Sequence, residues 1–228
     1  MSERTAEEAL EDDLSRLGPR LGPVFHGLWN DIAWLHIKWR EYREMFGATP
    51  ERIELLNSAA RLFFGIVQDM LWEDTLLHLS RLTDPPKSKG RLNLTVQALP
   101  GQIGDQLLRD EVSGLVVRAV EATKFARDWR NRRISHRDLD LALNNGAKPL
   151  APASRKEVSE AVSAVHEVLN RISERLLQRT LADDVISRGG DAVELMFVIR
   201  DGLEAGEARE ERLRKGQLLP GDLGPRAV

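Results

Sequence analysis

The stretch that organises this chain is residues 127–138, which read Arg127-Asp128-Trp129-Arg130-Asn131-Arg132-Arg133-Ile134-Ser135-His136-Arg137-Asp138. Within it, Arg130 and Asn131 are followed, after four further residues, by His136. Arginine stays charged, an amide can orient a neighbouring group, and histidine can gain or lose a proton near neutral pH. Together these side chains form a minimal set for cleaving a phosphodiester, and the rest of the chain is typical of helices that hold them.

The spacing of Arg130, Asn131 and His136, at the end of a predicted amphipathic helix, resembles the signature of the HEPN superfamily. That signature is an arginine, usually a polar residue after it, and a histidine a few positions further on. The sequence looks most similar to the abortive-infection, AbiU-like branch, around residues 129–133 and 136–138 and in the earlier stretch Leu79-Ser80-Arg81-Leu82-Thr83-Asp84-Pro85.

The resemblance implies an all-α fold, a HEPN-like helical bundle with long antiparallel helices. Many HEPN domains are metal-independent ribonucleases of toxin–antitoxin, abortive-infection and CRISPR-associated systems, generally dimers whose two motifs meet in one cleft. It therefore implies an endoribonuclease of phage defence with no cofactor, an RNA substrate and an antitoxin as candidate partner. His136 would be the general acid or base, Arg130 would stabilise charge on the phosphorus oxygens, and Asn131 would orient a hydroxyl or the histidine.

Composition excludes several other classes of protein. The 228 residues are 42% hydrophobic and 30% charged, which is ordinary for a globular chain, and the net charge of −3 means that any RNA contact must come from a local basic patch. The absence of cysteine excludes disulfides and thiolate metal sites. The acidic N-terminus does not fit a signal peptide, and charges interrupt every long apolar stretch, so we expect a cytoplasmic protein off the membrane.

The chain divides into three predicted regions. Residues 1–19 form a polar arm with a short helix around 6–17, which Gly18-Pro19 and Gly22-Pro23 would end. Residues 20–205 form the helical domain, and residues 206–228 form a charged tail that we expect to be disordered from Gly216 onward.

The first two long helices are predicted from apolar spacings of three and four. The first carries Phe25, Leu28, Ile32, Leu35, Trp39, Tyr42 and Phe46 and ends at Gly47. The second runs from Thr49-Pro50 to Asp84, before Pro85-Pro86, and its predicted buried face is Ile53, Leu56, Ala60, Phe63, Val67, Met70, Asp74, Leu77 and Arg81.

Asp74 on that face must either lie at the open end of the bundle or pair with a cation, because an unpaired buried carboxylate would cost several kcal/mol. Two interpretations stay open. Asp74 either forms an ion pair with Arg81 or Arg130 that only orients side chains, or it lines the cleft as a supporting residue together with Arg81. Glu73 and His78 are five residues apart and do not share a helix face, so no metal site is predicted.

The third long helix is predicted from Gly104-Asp105 through Trp129 into the motif. On an ideal helix, Arg130 and His136 lie about 120° apart, so they converge only if the helix frays near Ser135 or if both border a groove. This geometry favours a homodimer with both motifs along one groove.

Residues 118–138 carry seven lysines and arginines against three carboxylates. We predict that four of the arginines hold RNA phosphates: Arg127, Arg132, Arg133 and Arg137. The alternative for a charged run is a solvated face.

The remaining segments are predicted to be structural. Residues 84–91 form a loop, a short helix follows at 92–99, and residues 137–152 form a second loop. Ser154 and Glu157 form a capping box for a helix that continues to Leu176, and a last helix begins near Asp191. No strand is predicted.

Two other functions remain open from the sequence. The first alternative is a non-catalytic helical module that binds RNA or a protein through the same basic end. The second is a structural protein. In the structural interpretation, Arg130 and His136 would only form ion pairs, with Asp74, Asp128 or Asp138 as partners.

Overall fold

The computed structural model describes residues 6–181 and 189–224, most of which are helical. The all-α prediction is confirmed. Residues 1–5 of the predicted arm and 225–228 of the predicted tail lie outside the described residues. The helices are α1 (Ala6–Phe46), α2 (Pro50–Leu82), α3 (Gln106–Ala122), α4 (Lys124–Trp129), α5 (Leu139–Leu143), α6 (Arg155–Ile172) and α7 (Ala192–Lys215).

The chain groups into two compact units. The first comprises Met1–Arg40 and Met70–Val185, and the second comprises Glu41–Asp69 and Ile186–Val228. The predicted three-part division at residues 19 and 205 stays a prediction. No helix of the described residues is long and apolar enough to cross a membrane.

The helices of the first unit pack as antiparallel neighbours. Across each pair of helices, residue numbers rise on one helix as they fall on the other. The contacts that fix this order are Asp31–His78 and Lys38–Asp74 between α1 and α2, Trp72–Trp129 and Thr83–Thr123 between α2 and the α3–α4 region, and Glu111–Arg171 and Arg118–Glu167 between α3 and α6.

The buried face predicted for the first helix is confirmed from Phe25 to Phe46. The predicted end of the short helix at Gly18-Pro19 is confirmed, because the dihedral angles of Gly18 are non-helical and two helical segments of α1 meet there. The second predicted stop, Gly22-Pro23, is wrong, because it lies within the second helical segment. Gly18 takes a φ of 78°, a left-handed conformation that glycine adopts freely, and the helix resumes behind it. At Gly22 a Cβ atom would lie 3.0 Å from the Cα of Leu14, so the close approach favours glycine.

The buried face predicted for the second helix is wrong over much of its length. Leu56 is buried, but Phe63 is 60% and Met70 is 65% exposed. Ala60 has non-helical dihedral angles (φ −162°, ψ 71°), so one helical period cannot continue across it. Beyond Ala60 the buried apolar positions are Phe64, Leu76, Leu79 and Leu82.

The third predicted helix is broken twice. Asp105 caps α3 by accepting from the N–H of Leu108 at 2.7 Å, but the regular helix stops at Thr123, whose φ and ψ are −101° and 5°. The Thr123 hydroxyl donates to the carbonyl of Ala119 at 2.9 Å, a contact that bends helices. After α4, residues Arg130–Ile134 form a π-helical turn that Ser135 closes by donating to the carbonyl of Arg130 at 2.8 Å.

Two connections contain structure that was not predicted. A hairpin joins β1 (Lys87–Ser88) to β2 (Arg91–Leu92) through Lys89 and Gly90, which both have positive φ, as a two-residue hairpin turn requires. The short helix expected at 92–99 is instead two 3₁₀ turns, Val96–Ala98 and Pro100–Gln102. The loop expected at 137–152 contains α5.

The capping box predicted for α6 is confirmed. The hydroxyl of Ser154 accepts from the N–H of Glu157, and the Glu157 carboxylate accepts from the N–H of Ser154. The helix widens into a π-helical turn at Ser173–Leu177, which changes the register by one residue. Leu177 is therefore buried in place of the predicted Leu176.

In the second unit, α7 begins at its cap Asp191, as predicted, and ends at Gly216. Residues 216–224 fold back on the helix, because the Asp222 carboxylate accepts from Arg212 at 2.8 and 3.0 Å. Hydrogen bonding from Arg212 and from the N–H of Leu219 lowers the pKa of Asp222 to about 2. The carboxylate therefore stays charged at every pH at which proteins are normally handled.

A buried histidine between α1 and α2 makes stability depend on pH. Burial, followed by the positive charges of Lys38 and Arg81 and opposed by Asp74, lowers the pKa of His78 from 6.5 to about 4. The Asp31 carboxylate, 3.9 Å away, is itself 42% exposed and does not offset the burial. His78 is thus neutral in the folded protein at pH 5, whereas the unfolded chain takes up a proton there.

We therefore expect the free energy of unfolding to fall by roughly 2 kcal/mol between pH 7 and pH 5 because of this side chain. Denaturant titration at both pH values measures the change. His78→Gln removes the titrating group, so its pH dependence should be smaller by that amount. An equal pH dependence in the wild type and the variant would contradict the assignment.

Candidate active site

The residues of the motif are anchored to the end of α2 by one carboxylate. Asp84 accepts from Arg127 Nη1 at 2.8 Å and from Arg130 Nη1 at 2.8 and 2.7 Å, one distance to each oxygen. Arg127 also donates from Nη2 to the carbonyl of Thr83 at 2.7 Å. All three charged side chains are between 21% and 26% exposed, so they lie at the edge of the core.

Arg130 and Asn131 are in direct contact, and His136 lies apart from both. Arg130 Nε donates to Asn131 Oδ1 at 3.0 Å. His136 follows the π-helical turn, is exposed, and makes no hydrogen bond or ion pair with the described residues. The sequence left two ways for Arg130 and His136 to converge, a helix that frays near Ser135 or a groove that both residues border. The regular helix ends at Trp129, and the π-helical turn that follows it ends at Ile134. The extra residue in the turn changes the direction in which His136 leaves the helix.

Arg132 connects the motif to residues 148 and 149, in the segment that precedes α6. Its guanidinium lies 3.7 Å from Asp128 and 3.3 Å from Asp138, and it also donates to the carbonyls of Lys148 and Pro149. The N–H of Leu141, which Asp138 caps, and then Arg132 lower the pKa of Asp138. Arg132 therefore has a structural role in addition to its positive charge.

Arg133 packs against the ring of Trp129. Its guanidinium carbon lies 5.4 Å from the ring centre of Trp129, and Nε donates to Glu73 at 2.9 Å. Trp129 is fixed in turn, because its Nε1 donates to the carbonyl of Ala151 at 2.9 Å and its ring packs edge-on against Trp72 at 6.4 Å. Arg133 nevertheless remains about half exposed, so part of the guanidinium faces solvent.

A cleft of about 430 Å³ borders the motif. The residues that line it are Glu73, Arg132, Arg133, Arg137, Asp138, Leu141 and Ala142. Within residues 6–181 and 189–224, Arg137 makes no hydrogen bond or ion pair, in contrast to the other two arginines of the cleft. Its charge is therefore available to a ligand.

Neither predicted partner of Asp74 is observed. Asp74 pairs with Lys38 of α1, and its side chain is 49% exposed, so it is neither a buried ion pair with Arg81 or Arg130 nor part of the described cleft. Its predicted buried position depended on a helical period carried across Ala60, where the helix is interrupted. Arg81 is exposed and acts on His78 through its charge.

Sequence reasoning missed Asp84 as the partner of Arg130. The residue stands in the stretch 79–85 that carries the family resemblance, directly before Pro85-Pro86, where α2 must end. Asp84 stands at the end of one predicted long helix, and the arginines stand near the end of the next one. These side chains meet if the two helices are antiparallel neighbours and lie at the same level. This position in the sequence was the signal that could have predicted the ion pair.

The fold and this set of side chains define an all-α domain with a HEPN-type motif that begins in the π-helical turn after α4. The family model HEPN_AbiU2, described as AbiU2, matches residues 19–195, which is more than half of the chain. The chain therefore belongs to the AbiU2 family of HEPN domains, an abortive-infection family. No curated protein and no solved structure matches the chain.

The residues described contain no group of three or more histidine, cysteine, aspartate or glutamate side chains arranged to hold a metal ion. The side chains that surround the motif are instead arginines, an amide and a histidine. Such groups can bind a phosphate, stabilise negative charge and transfer a proton.

Proposed function

We propose that the protein is a metal-independent endoribonuclease of the toxin–antitoxin or abortive-infection type. The observation that carries the proposal is the turn after α4, in which Arg130 is held by Asp84 and Asn131 while His136 stands exposed just beyond it. An anchored cation and an accessible histidine on one short segment suit a reaction that needs both charge stabilisation and proton transfer.

The proposed reaction uses the 2′-hydroxyl of RNA. The 2′-oxygen attacks the adjacent phosphorus and loses its proton, while the bond to the 5′-oxygen breaks and that oxygen gains a proton. The products are a 2′,3′-cyclic phosphate and a free 5′-hydroxyl. His136 transfers one of the two protons, Arg130 stabilises the charge that grows on the phosphorus oxygens, and Asn131 orients a hydroxyl or the histidine.

The test is cleavage in the presence of EDTA. We expect purified protein to cut single-stranded RNA and to leave DNA of the same sequence intact, since DNA lacks the attacking hydroxyl. Mass spectrometry of the fragments should find 2′,3′-cyclic phosphate ends. Cleavage that requires added Mg²⁺, or that proceeds equally on DNA, would overturn the proposal.

A second function is supported by the contacts of the arginines themselves. Arg130, Arg132 and Arg133 each pair with a carboxylate of the same chain, and His136 has no described partner that would orient its ring. This arrangement suits a non-catalytic module that binds RNA or a protein. Tight RNA binding without cleavage by the wild type would favour this function.

Arg137 provides a specific test of RNA binding. Because its guanidinium makes no described ion pair, Arg137→Ala should weaken RNA binding without disturbing the fold. We expect the slope of log affinity against log salt to decrease by about one, while the rate at saturating RNA changes little. Fluorescence anisotropy at several salt concentrations measures this slope.

Arg132→Ala is the matched comparison. Arg132 carries the same charge but also holds Asp138 and the carbonyls of Lys148 and Pro149. This variant should therefore lower the melting temperature, whereas Arg137→Ala should not. If Arg137→Ala left the salt slope unchanged, Arg137 would not contact the RNA backbone.

Assembly is the next part of the proposal. We infer a two-fold homodimer that places both copies of the motif along one groove, because one turn leaves His136 without contact to Arg130. Light scattering should report a dimer at micromolar concentrations. A monomer at tens of micromolar that still cleaves RNA would rule out this arrangement.

The biological setting follows from the proposed chemistry. An enzyme that cuts cellular RNA must be held inactive until it is needed, so we propose an antitoxin protein as its partner and phage defence as its role. Because the proposed substrate is cellular RNA, we propose that the protein acts in the cytoplasm. Co-expression with the product of a neighbouring gene, compared with expression alone, tests whether such a partner relieves toxicity.

A further inference from the structure

The end of α2 is held by hydrogen bonds from the side chains of a later segment of the chain. The last carbonyls of a helix lack partners within it. Here the Thr95 hydroxyl lies 2.8 Å from the carbonyl oxygen of Leu82 and 2.7 Å from that of Asp84, and its single proton can be donated to one of them at a time. Gln97 Nε2 donates to the carbonyl of Thr83 at 2.7 Å. The backbone that carries the Asp84 side chain is therefore held by a separate segment of the chain.

Asp84 presents both of its oxygens to the motif. Arg130 Nη1 contacts both of them, and Arg127 Nη1 contacts one. The two arginines differ in what else holds them, because Arg127 also donates to the Thr83 carbonyl, whereas Arg130 donates only to side chains, Asp84 and Asn131, among the described residues. The orientation of Arg130 consequently depends on Asp84 far more than that of Arg127 does.

The hydrogen bonds leave one part of the Arg130 guanidinium open. Nε donates to Asn131 and Nη1 donates to Asp84, while Nη2 has no hydrogen-bond acceptor among residues 6–181 and 189–224. A guanidinium is planar and rigid, so fixing Nε and Nη1 also fixes the direction of Nη2. Nη2 can then donate to a phosphate oxygen while the other two nitrogens keep their partners.

We propose that Asp84 is a positioning residue, which aims Nη2 of Arg130 at the reacting phosphate and, with Arg127, keeps it there. This inference rests on the ribonuclease function proposed above. Asp84 also separates two like charges, since Arg127 and Arg130 would repel each other without the shared carboxylate. Loss of Asp84 would free Arg130 to rotate, and the cost would appear when charge develops in the transition state.

The test is a double-mutant cycle on cleavage. Asp84→Asn should lower kcat by about 10- to 100-fold with little change in KM, since a misaligned group loses transition-state stabilisation. In an Arg130→Ala background, Asp84→Asn should cause almost no further loss, because the group that it positions is already absent. Losses that multiply in the double variant would overturn the proposal.

Two further variants separate positioning from folding. Asp222 is likewise a carboxylate held by two arginines, Arg209 and Arg212, but it belongs to the second compact unit. Asp222→Asn should lower the melting temperature without changing kcat. Asp84→Glu, which keeps the charge, should recover part of the rate lost in Asp84→Asn, and a rate equal to that of Asp84→Asn would contradict a positioning role for the carboxylate.

A readout without cleavage keeps this inference distinct from the proposed function. If the wild type does not cut RNA, the ribonuclease proposal fails, but the anchoring of Arg130 can still be measured. In ¹⁵N-labelled protein, the Nη1 protons of Arg130, which donate to Asp84, should exchange slowly with water, and Asp84→Asn should make them exchange quickly. Equal exchange in both proteins would overturn the anchoring itself.

Discussion

His136→Ala should lower the rate of RNA cleavage by about 10²–10⁴, the range expected when a general acid or base is removed. The physical reason is that alanine cannot exchange a proton with the 2′-hydroxyl or with the leaving oxygen. RNA affinity should change little, since the arginines of the turn supply the positive charge that attracts the phosphate backbone. Single-turnover rates at saturating RNA, with affinity measured separately, distinguish the two effects.

Because His136 is exposed, its replacement should change the cleavage rate without changing the stability of the fold. The side chain makes no hydrogen bond or ion pair with the described residues, so its loss leaves no cavity and no unpaired partner. The melting temperature of His136→Ala should equal that of the wild type. Cleavage that survives the substitution and depends on Mg²⁺ would show that a contaminant or a different site cuts the RNA.

The parts of the fold that could be predicted are those that local sequence determines. The buried face from Phe25 to Phe46 follows from one uninterrupted helical period, and the capping box at Ser154 and Glu157 follows from two residues three positions apart. In both cases the stabilising interactions lie within a single helix or on a single face of it. No knowledge of the neighbouring elements was needed.

Prediction failed where a helix changes its geometry. The period of α2 was carried across Ala60, whose dihedral angles leave the helical region, so Phe63 and Met70 were wrongly assigned to the core. The π-helical turns at 130–134 and 173–177 each add a residue to a turn, and an average period cannot anticipate them. Such changes depend on packing against other helices, which local spacing does not describe.

Ion pairs across the fold were the hardest part to predict. Asp74 lies within α2 and Asp84 directly after it, and the apolar spacing alone does not say which of the two carboxylates reaches Arg130. The choice depends on how far two antiparallel helices slide past each other. Asp74 and Asp84 are ten positions apart in the sequence. At the helical rise of about 1.5 Å per residue, exchanging one for the other would need a shift of about 15 Å, nearly three turns.

Arg130→Ala should be as severe as the loss of the histidine, with cleavage slower by about 10²–10⁴, because the guanidinium acts on charge that appears mainly in the transition state. Arg130→Lys should recover little of the rate. An ammonium is a point charge without the rigid fork of arginine, so it cannot hold Asp84 and Asn131 and still direct a separate donor at a phosphate. The measurement is again the single-turnover rate at saturating RNA.

Arg133→Ala is the matched control for the Arg130 variants, since it removes an arginine of the same turn that stacks on Trp129 and pairs with Glu73. This variant should raise KM in a salt-dependent way and leave the saturated rate nearly intact. Arg130→Ala should also stay folded, because Arg127 continues to neutralise Asp84 and to bond the Thr83 carbonyl. If Arg130→Ala and Arg133→Ala instead reduced the saturated rate equally, Arg130 would have no special part in the chemistry, and the turn would serve RNA binding alone.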